Sequence, residues 1–121
     1  AFGRAGAEVL VNDLRVERCD QVVDEIRGTG GAAKSVPFDV TDYDAVQTAM
    51  ADAGAVDVLV NNAGIFKGGK VQDVKTKDWI EQMQTNVDGY FFMTREAMPY
   101  LVKTKGAIVN VSSVSGLGAD W

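Results

Sequence analysis

Histidine is absent from this 121-residue sequence, and its absence removes several common kinds of active site. Without histidine the chain cannot assemble a Ser-His-Asp or Cys-His nucleophile system, or a metal site with imidazole ligands. Its one cysteine, Cys19, cannot form an internal disulfide, which fits a reducing compartment. We therefore expect a cytoplasmic protein that holds no metal ion.

The sequence also lacks excess positive charge and long apolar runs. The net charge of −5, from 12 basic and 17 acidic residues, argues against a nucleic-acid partner. No apolar run is long enough to cross a bilayer, and no signal-peptide pattern is present, so we expect no membrane partner. The remaining composition, 46% apolar and 24% charged, is that of an ordinary globular protein with one domain at most.

Short β-rich runs alternate with helical patterns along the chain. The predicted strands are residues 8–12, 33–38, 56–60 and a fourth that begins at Ala107. The predicted helices are residues 16–27, residues 42–53 with Thr41 as their cap, and a long helix from Thr76 to about Lys103. This alternation predicts an α/β fold with a doubly wound parallel sheet and helices on both faces.

Two of the predicted strands end in small polar residues. The run Val56–Val60 is apolar at both strand faces, which predicts burial on both sides, and it stops at Asn61–Gly64, which reads Asn-Asn-Ala-Gly. The fourth strand leads to Ser112, Ser113 and Ser115. Open α/β sheets bind ligands at the carboxyl ends of their strands, so we expect a ligand crevice at this edge.

Carboxylates end the first two predicted strands. Asp13 could accept both hydroxyls of an adenosine ribose and would repel a 2′-phosphate, which favours NAD, whereas the nearby Arg15 keeps NADP open. The alternative for Asp13 is a cap of the helix that begins at Val16. Asp39 could contact adenine or cap the helix after it, although Thr41 or Asp42 suit that capping better.

Asn86 lies inside the long predicted helix, in the run Asn86–Gly89. Asparagine competes with the helix for backbone hydrogen bonds, and this run places two poor helix formers together in an apolar face. A solvent-facing position is the ordinary explanation of a polar residue in a helix. Here we favour a local distortion of the helix that serves a function.

Two glycine-rich segments match the sequence patterns of phosphate-binding motifs. Gly28–Ala33 fits G-x-G-x-x-A but follows a helix and precedes a strand, so we interpret it as a helix end and turn. Gly64–Lys70 fits G-x-x-x-x-G-K and follows a strand, but Val71 stands where a magnesium-binding Ser or Thr is required. A P-loop nucleotide hydrolase that binds through Lys70 stays open as an alternative.

In chain order, these features resemble the short-chain dehydrogenase/reductase family over essentially the whole chain. The matching segments are Asp13, Asp39–Val40, Asn61–Gly64, Asn86–Gly89 and Val109–Gly116. The resemblance implies a Rossmann-type sheet of about four strands, a single incomplete domain over residues 1–121, with NAD, or NADP, across its carboxyl edge. Asp13 would then hold the adenosine ribose, and Asp39 with Val40 would hold the adenine. The residues that would line the cofactor site and steady the sheet are Asn61, Ala63 and Gly64.

The same resemblance implies an oxidoreductase that acts on a small-molecule alcohol or carbonyl compound. Ser113 would hydrogen-bond the substrate oxygen, and Asn86 would hold a water that links the catalytic lysine to solvent. The family's Tyr-x-x-x-Lys pair and its first glycine-rich loop are absent from these 121 residues, so we expect a piece of a longer enzyme that is inactive alone. The long helix would join subunits in a homodimer or homotetramer, through Phe91, Phe92 and Met93. A non-catalytic dinucleotide-binding or scaffold module is the alternative.

A missing first strand has a consequence for the sheet. In Rossmann order it would lie between the strand that ends at Asp13 and the strand that ends at Val60. We therefore predict that the sheet splits into two pairs with exposed inner edges. The chain alone should fold poorly or need a partner chain, and one cooperative monomeric melting transition would count against this.

Overall fold

The computed structural model describes residues 1–114, which form two compact units that divide between Ala53 and Gly54. Each unit contains one parallel pair of strands. Ser115 and Gly116, which belong to the serine-rich motif of the sequence, lie outside the described residues.

The first unit contains two strands and two α-helices. Its elements are a 3₁₀ turn (Phe2–Ala5), β1 (Glu8–Val11), α1 (Val16–Gly28), β2 (Ala32–Ser35) and α2 (Tyr43–Ala53). β1 and β2 pair in parallel, with Glu8 opposite Ala32 and Val11 opposite Ser35. The α1 helix packs against both strands and buries Cys19 and Val23. It ends at Gly28, and Gly30 follows with a φ of 81°, so this glycine-rich segment is a helix end and turn, as predicted.

The second unit, over its described residues 54–114, contains two strands and one long, interrupted helix. Its elements are β3 (Val58–Asn61), α3 (Thr76–Met83), a π-helical turn (Gln84–Asp88), α4 (Gly89–Thr104) and β4 (Ala107–Asn110). β3 and β4 pair in parallel, with Asn61 opposite Asn110. The α4 helix packs against β3, and its side chains Met93, Ala97 and Leu101 are buried.

The division into β1–β2 and β3–β4 confirms that the sheet splits into two pairs. The sequence reading was wrong about burial on both faces of β3, because only Leu59 and Asn61 are buried, at 6% and 4% exposure. Val58 and Val60, which point to the other face, are 44% and 39% exposed. Within the described part of this unit, α4 covers one face of the pair.

The start of α2 differs from the sequence prediction in its cap. The Asp42 carboxylate accepts a hydrogen bond from the Ala45 N–H (3.1 Å), and its carbonyl accepts the Val46 N–H (3.0 Å). These are the two bonds of an N-cap residue, so Asp42, and not Thr41, caps this helix. The Thr41 hydroxyl donates instead to Asp39 (2.8 Å).

The end of α4 is a tight turn that only glycine can complete. Lys105 adopts a left-handed φ of 56°, and the Gly106 N–H donates to the Leu101 carbonyl (2.8 Å). A Cβ on Gly106 would lie 2.8 Å from Leu101 Cδ2 and would collide with the Asp57 carbonyl oxygen. That oxygen accepts the Ala107 N–H (2.9 Å), so the glycine allows α4 to return closely into β4 beside β3.

Candidate active site

Asn61, at the end of β3, is hydrogen-bonded to both β4 and α4. Its side chain is buried, and its Nδ2 donates to Asn110 Oδ1 (2.9 Å) on β4 and to Thr94 Oγ1 (3.1 Å) on α4. Its main-chain carbonyl accepts the Val111 N–H (2.9 Å). Asn61 therefore has the sheet-steadying role that the sequence predicted, and both of its amide hydrogens are used for it.

The residues that follow Asn61 leave a stretch of main chain uncovered. Asn62 and Gly64 are exposed, and Ala63 is half-buried. A Cβ added to Gly64 would meet only Asn86 Oδ1 at 3.5 Å and the Asn62 carbonyl oxygen at 3.8 Å. A flat group can approach this main chain closely, which is what a cofactor-lining position requires.

Asn86 lies in the π-helical turn, and its side chain pairs with the main chain of Ile65. Its Oδ1 accepts the Ile65 N–H (2.9 Å), and its Nδ2 donates to the Ile65 carbonyl (2.9 Å). The helix opens at this turn, because the Gly89 N–H bonds to the Gln84 carbonyl five residues back. The distortion predicted from Asn86–Gly89 is confirmed, and the Asn86 side chain faces the loop that follows β3.

Gln82 makes the same kind of two-way pairing one turn earlier, and sequence reasoning missed it. Its Oε1 accepts the Lys67 N–H (2.9 Å), and its Nε2 donates to the Lys67 carbonyl (3.1 Å). Gln82 and Asn86 are four residues apart, while Ile65 and Lys67 are two apart, so one helix face holds an extended loop segment. Their spacing was visible in the sequence, but surface amides on helices are common and gave no reason to select them.

These pairings overturn the P-loop alternative. A P-loop offers its main-chain N–H groups to phosphate oxygens and leads directly into a helix. Here the N–H groups of Ile65 and Lys67 are bonded to side chains of the helix. After Lys70 comes a turn, and α3 begins only at Thr76.

Lys67 also forms an ion-pair cluster with α3. Its Nζ lies 3.2 Å from Asp78 Oδ1 and contacts Glu81 Oε2. The hydrogen bond that Lys67 Nζ donates to Glu81, followed by the one that it donates to Asp78, raises the pKa of Lys67 above its ordinary value. Main-chain and side-chain bonds therefore act together to hold Lys67 against α3.

The segment after β4 carries Ser113 and is held from two sides. The Val111 N–H donates to the Asn61 carbonyl (2.9 Å), and the Val111 carbonyl accepts the Tyr90 hydroxyl (2.9 Å). Ser113 follows two residues later and is exposed. Because Asn61 and Asn110 are paired in register, Gly64 and Ser113 each lie three residues past the ends of adjacent strands.

Asp13 follows β1 in the first unit and is half-buried. Its Oδ1 accepts the Arg15 N–H (2.9 Å), and its Oδ2 lies 3.9 Å from Arg18 Nη1. Arg15 is the N-cap residue of α1, so Asp13 closes the turn before the helix and does not cap it directly. Its placement at the end of a parallel strand fits the predicted ribose contact, which stays a prediction.

Asp39 and Val40 lie between β2 and α2. Asp39 Oδ1 accepts hydrogen bonds from both the N–H and the hydroxyl of Thr41 (2.8 Å each). Val40 is buried, at 8% exposure, and its contact with adenine stays a prediction. Asn12, a residue that sequence reasoning missed, fixes the approach to this turn by donating to the carbonyls of Val36 (3.1 Å) and Phe38 (3.0 Å).

The candidate residues therefore fall into two groups. The second unit brings together Asn61, Ala63, Gly64, Asn86 and Ser113 around the ends of β3 and β4. The first unit carries Asp13, Asp39 and Val40 after β1 and β2. That both groups meet along one edge stays a prediction.

Among residues 1–114, no cluster of histidine, cysteine or acidic side chains is arranged to hold a metal ion. In the same range, none of the helices combines the length and apolar character needed to span a membrane.

Comparison with known proteins matches one family along nearly the whole chain. The family model described as short chain dehydrogenase matches residues 1–119. The meso-2,3-butanediol dehydrogenase of Serratia marcescens is 40% identical over 99% of this chain and 49% of its own length. The chain thus spans about half the length of the curated relatives it matches.

Solved structures match the fold as well as the sequence. A 3-oxoacyl-(acyl-carrier protein) reductase from Brucella melitensis with bound NAD superposes with a TM-score of 0.88 at 35% identity, over 97% of this chain and 48% of its own. A metagenomic short-chain oxidoreductase in complex with NADP gives a TM-score of 0.87 at 31% identity, over 96% of this chain and 55% of its own. The prediction of a partial Rossmann-type α/β fold is confirmed.

Proposed function

We propose, because the chain belongs to the short-chain dehydrogenase family, that the protein is an NAD(P)-dependent oxidoreductase for an alcohol or carbonyl substrate. One observation supports this most strongly. Asn61 joins β3 to β4, Asn86 holds the loop after β3, and β4 leads to Ser113. A main-chain platform and a hydroxyl group thus follow adjacent strand ends, as hydride transfer between a flat ring and the carbon that carries a substrate oxygen requires.

The dinucleotide would be held by residues that follow three of the strands. Asp13 would accept the ribose hydroxyls, the Asp39–Val40 turn would contact the adenine, and Ala63 with Gly64 would face the nicotinamide half. When bound, the nicotinamide supplies or accepts the hydride. We propose NAD as the preferred form, since the Asp13 carboxylate would repel a 2′-phosphate. Arg15, two residues after Asp13, leaves NADP possible, and Arg18 also lies near, 3.9 Å from that carboxylate.

Ser113 would act on the substrate oxygen. Its hydroxyl can donate a hydrogen bond to the oxygen whose charge grows as the carbonyl is reduced. No Tyr-x-x-x-Lys pair occurs in these 121 residues to move the accompanying proton: Gln47, Thr94 and Thr104 lie four residues after the tyrosines. We therefore propose that this chain is inactive alone and that the full-length protein is the enzyme.

The test is the turnover of the full-length protein after Ser113→Ala, with Ser112→Ala as the matched control. Suitable first substrates are 2,3-butanediol and a 3-oxoacyl thioester, after the names of the relatives. We expect kcat to fall roughly a hundredfold or more for Ser113→Ala, the usual loss when one donor to a developing oxyanion is removed. The Ser112 variant should stay within about twofold. Equal turnover of both variants would remove Ser113 from the mechanism.

The second candidate is a non-catalytic dinucleotide-binding or scaffold module. It predicts that the full-length protein binds NAD without oxidising any alcohol or reducing any carbonyl compound. Calorimetry with NAD, followed by a turnover assay on the same sample, separates the two candidates. Binding without turnover across the substrate panel favours the module.

We also propose that the full-length protein is a homodimer or homotetramer, with the outer face of α4 as a subunit contact. Phe91 and Val102 on this face are 58% and 69% exposed, and the Arg95 guanidinium lies 5.3 Å from the Phe91 ring centre. Met93, which we had assigned to this contact from the sequence, is buried at 9% exposure and belongs to the core instead. A Val102→Glu variant should shift the mass measured by light scattering toward the monomer.

We propose the cytoplasm as the compartment, because a single cysteine that forms no internal disulfide fits a reducing environment.

A further inference from the structure

Three side chains at intervals of four residues connect the long helix to the two segments that leave β3 and β4. Gln82 and Asn86 each pair with the main chain of the loop after β3. Tyr90, one turn further along, donates its hydroxyl to the Val111 carbonyl (2.9 Å) after β4. This polar row, Gln82–Asn86–Tyr90, thus reaches both strand ends from one helix face.

Tyr90 is the member of the polar row that acts nearest to Ser113. Val111 has both main-chain groups occupied, because its N–H donates to the Asn61 carbonyl and its carbonyl accepts the Tyr90 hydroxyl (2.9 Å each). The first bond continues the β3–β4 pairing, whereas the second crosses to α4. Together they fix the peptide planes on either side of Val111, two residues before Ser113.

We propose that Tyr90 is a positioning residue that sets the Ser113 hydroxyl for its hydrogen bond to the substrate oxygen; this rests on the proposed function of Ser113. The segment after β4 has left the strand ladder at Asn110, so its course depends on the few bonds made beyond that point. A small displacement of a catalytic group costs rate far more than it costs stability. Tyr90 is half-buried at the start of α4, so its ring is fixed while its hydroxyl reaches the carbonyl.

The test is a double-mutant cycle in the full-length protein, with Tyr90→Phe and Ser113→Ala. Removing one neutral hydrogen bond that orients the serine should lower kcat about three- to tenfold, with the KM for NAD unchanged. In the Ser113→Ala background, the same Tyr90→Phe change should alter kcat by less than about twofold, because there is no hydroxyl left to position. Tyr100→Phe, on the same helix, is the control and should leave kcat unchanged.

Two results would overturn the inference alone. Either Tyr90→Phe leaves kcat unchanged while Ser113→Ala reduces it, or Tyr90→Phe causes the same loss in both backgrounds, as a general structural role would. If Ser113→Ala itself is harmless, the proposed role of Ser113 fails first and the inference falls with it. Melting curves establish that the variants fold. Should Tyr90→Phe not fold, Tyr90→Met, which also lacks the hydroxyl, enters the same cycle with the same expected non-additivity.

Discussion

Asn61→Ala offers the sharpest test of how the end of β3 is held together. The substitution removes two hydrogen bonds, to Asn110 (2.9 Å) and to Thr94 (3.1 Å), from a side chain that is 4% exposed. Each bond contributes about 1 kcal/mol net, and because Asn110 is exposed and Thr94 is half-buried, water can reach both partners once the amide is removed. We therefore expect the free energy of unfolding to fall by roughly 2 kcal/mol.

The assay is urea unfolding of the full-length protein, with Asn62→Ala as the matched control. Asn62 is the same residue type one position later and is exposed, so its loss should change stability by no more than about 0.5 kcal/mol. The Asn61 variant should show a lower midpoint at an unchanged slope. Equal midpoints for the two variants would refute the idea that the Asn61 amide joins the strands.

The remaining predictions concern a turn, the coenzyme preference and a pH dependence. Gly106→Ala should lower the free energy of unfolding in urea by about 1–3 kcal/mol, because the new Cβ would lie 2.8 Å from Leu101 Cδ2. Gly28→Ala is the control. Its Cβ meets no atom within 4 Å, so it should leave the free energy of unfolding unchanged. Asp13→Asn should reduce the ratio of kcat/KM with NAD to that with NADP by roughly tenfold or more, because it removes the charge that repels a 2′-phosphate. The ion pairs of Lys67 with Glu81 and Asp78 contribute stability only while Lys67 is protonated, and Lys67→Met should remove this contribution. In the wild type the contribution is fully present below pH 10.5 and is lost as the pH rises through the raised pKa of Lys67.

Each of these predictions has a result that contradicts it. Equal unfolding midpoints for the Gly106 and Gly28 variants would show that the turn accepts a side chain. An unchanged coenzyme ratio after Asp13→Asn would remove this residue from the ribose site. For Lys67, the stability difference between wild type and variant is followed from neutral to alkaline pH. A difference that grows above pH 10.5 would have the wrong sign for a raised pKa.

The sequence predicted the features that depend on local chemistry. The four strands and the helices were predicted to within a few residues, since apolar runs and helical spacing mark them. A local distortion of the long helix was predicted from the two poor helix formers in Asn86–Gly89, and the structure shows that it is a π-helical turn. The sheet-steadying role of Asn61 was implied by the family resemblance, and the bond from its amide to Asn110 agrees with it.

What the sequence could not predict depends on partners distant along the chain. Gln82 and Tyr90 look like ordinary surface residues of a helix until the loops that they contact, at Lys67 and Val111, are in place. Thr41 and Asp42 were both candidates for the cap of α2, and the geometry decided for Asp42. Propensity alone does not separate such neighbours.

The prediction of burial on both faces of β3 failed for a physical reason. An apolar strand such as Val58–Asn61 shows that both faces can be buried, but it does not show what covers each face. In the second unit, α4 packs against the face of Leu59, and Val58 stays 44% exposed. The sequence pattern of a strand shows which of its faces are apolar. Whether an apolar face is buried depends on the elements that pack against it.

A crystal structure of the full-length protein with bound NAD would show directly whether these residues form one coenzyme site. We expect the adenosine ribose hydroxyls to lie within hydrogen-bond distance of the Asp13 carboxylate. We also expect the nicotinamide ring to lie over the Ala63–Gly64 main chain, on the side of Ser113. NAD bound at any other place, with Asp13 and Ser113 at separate borders of the molecule, would refute the proposed site.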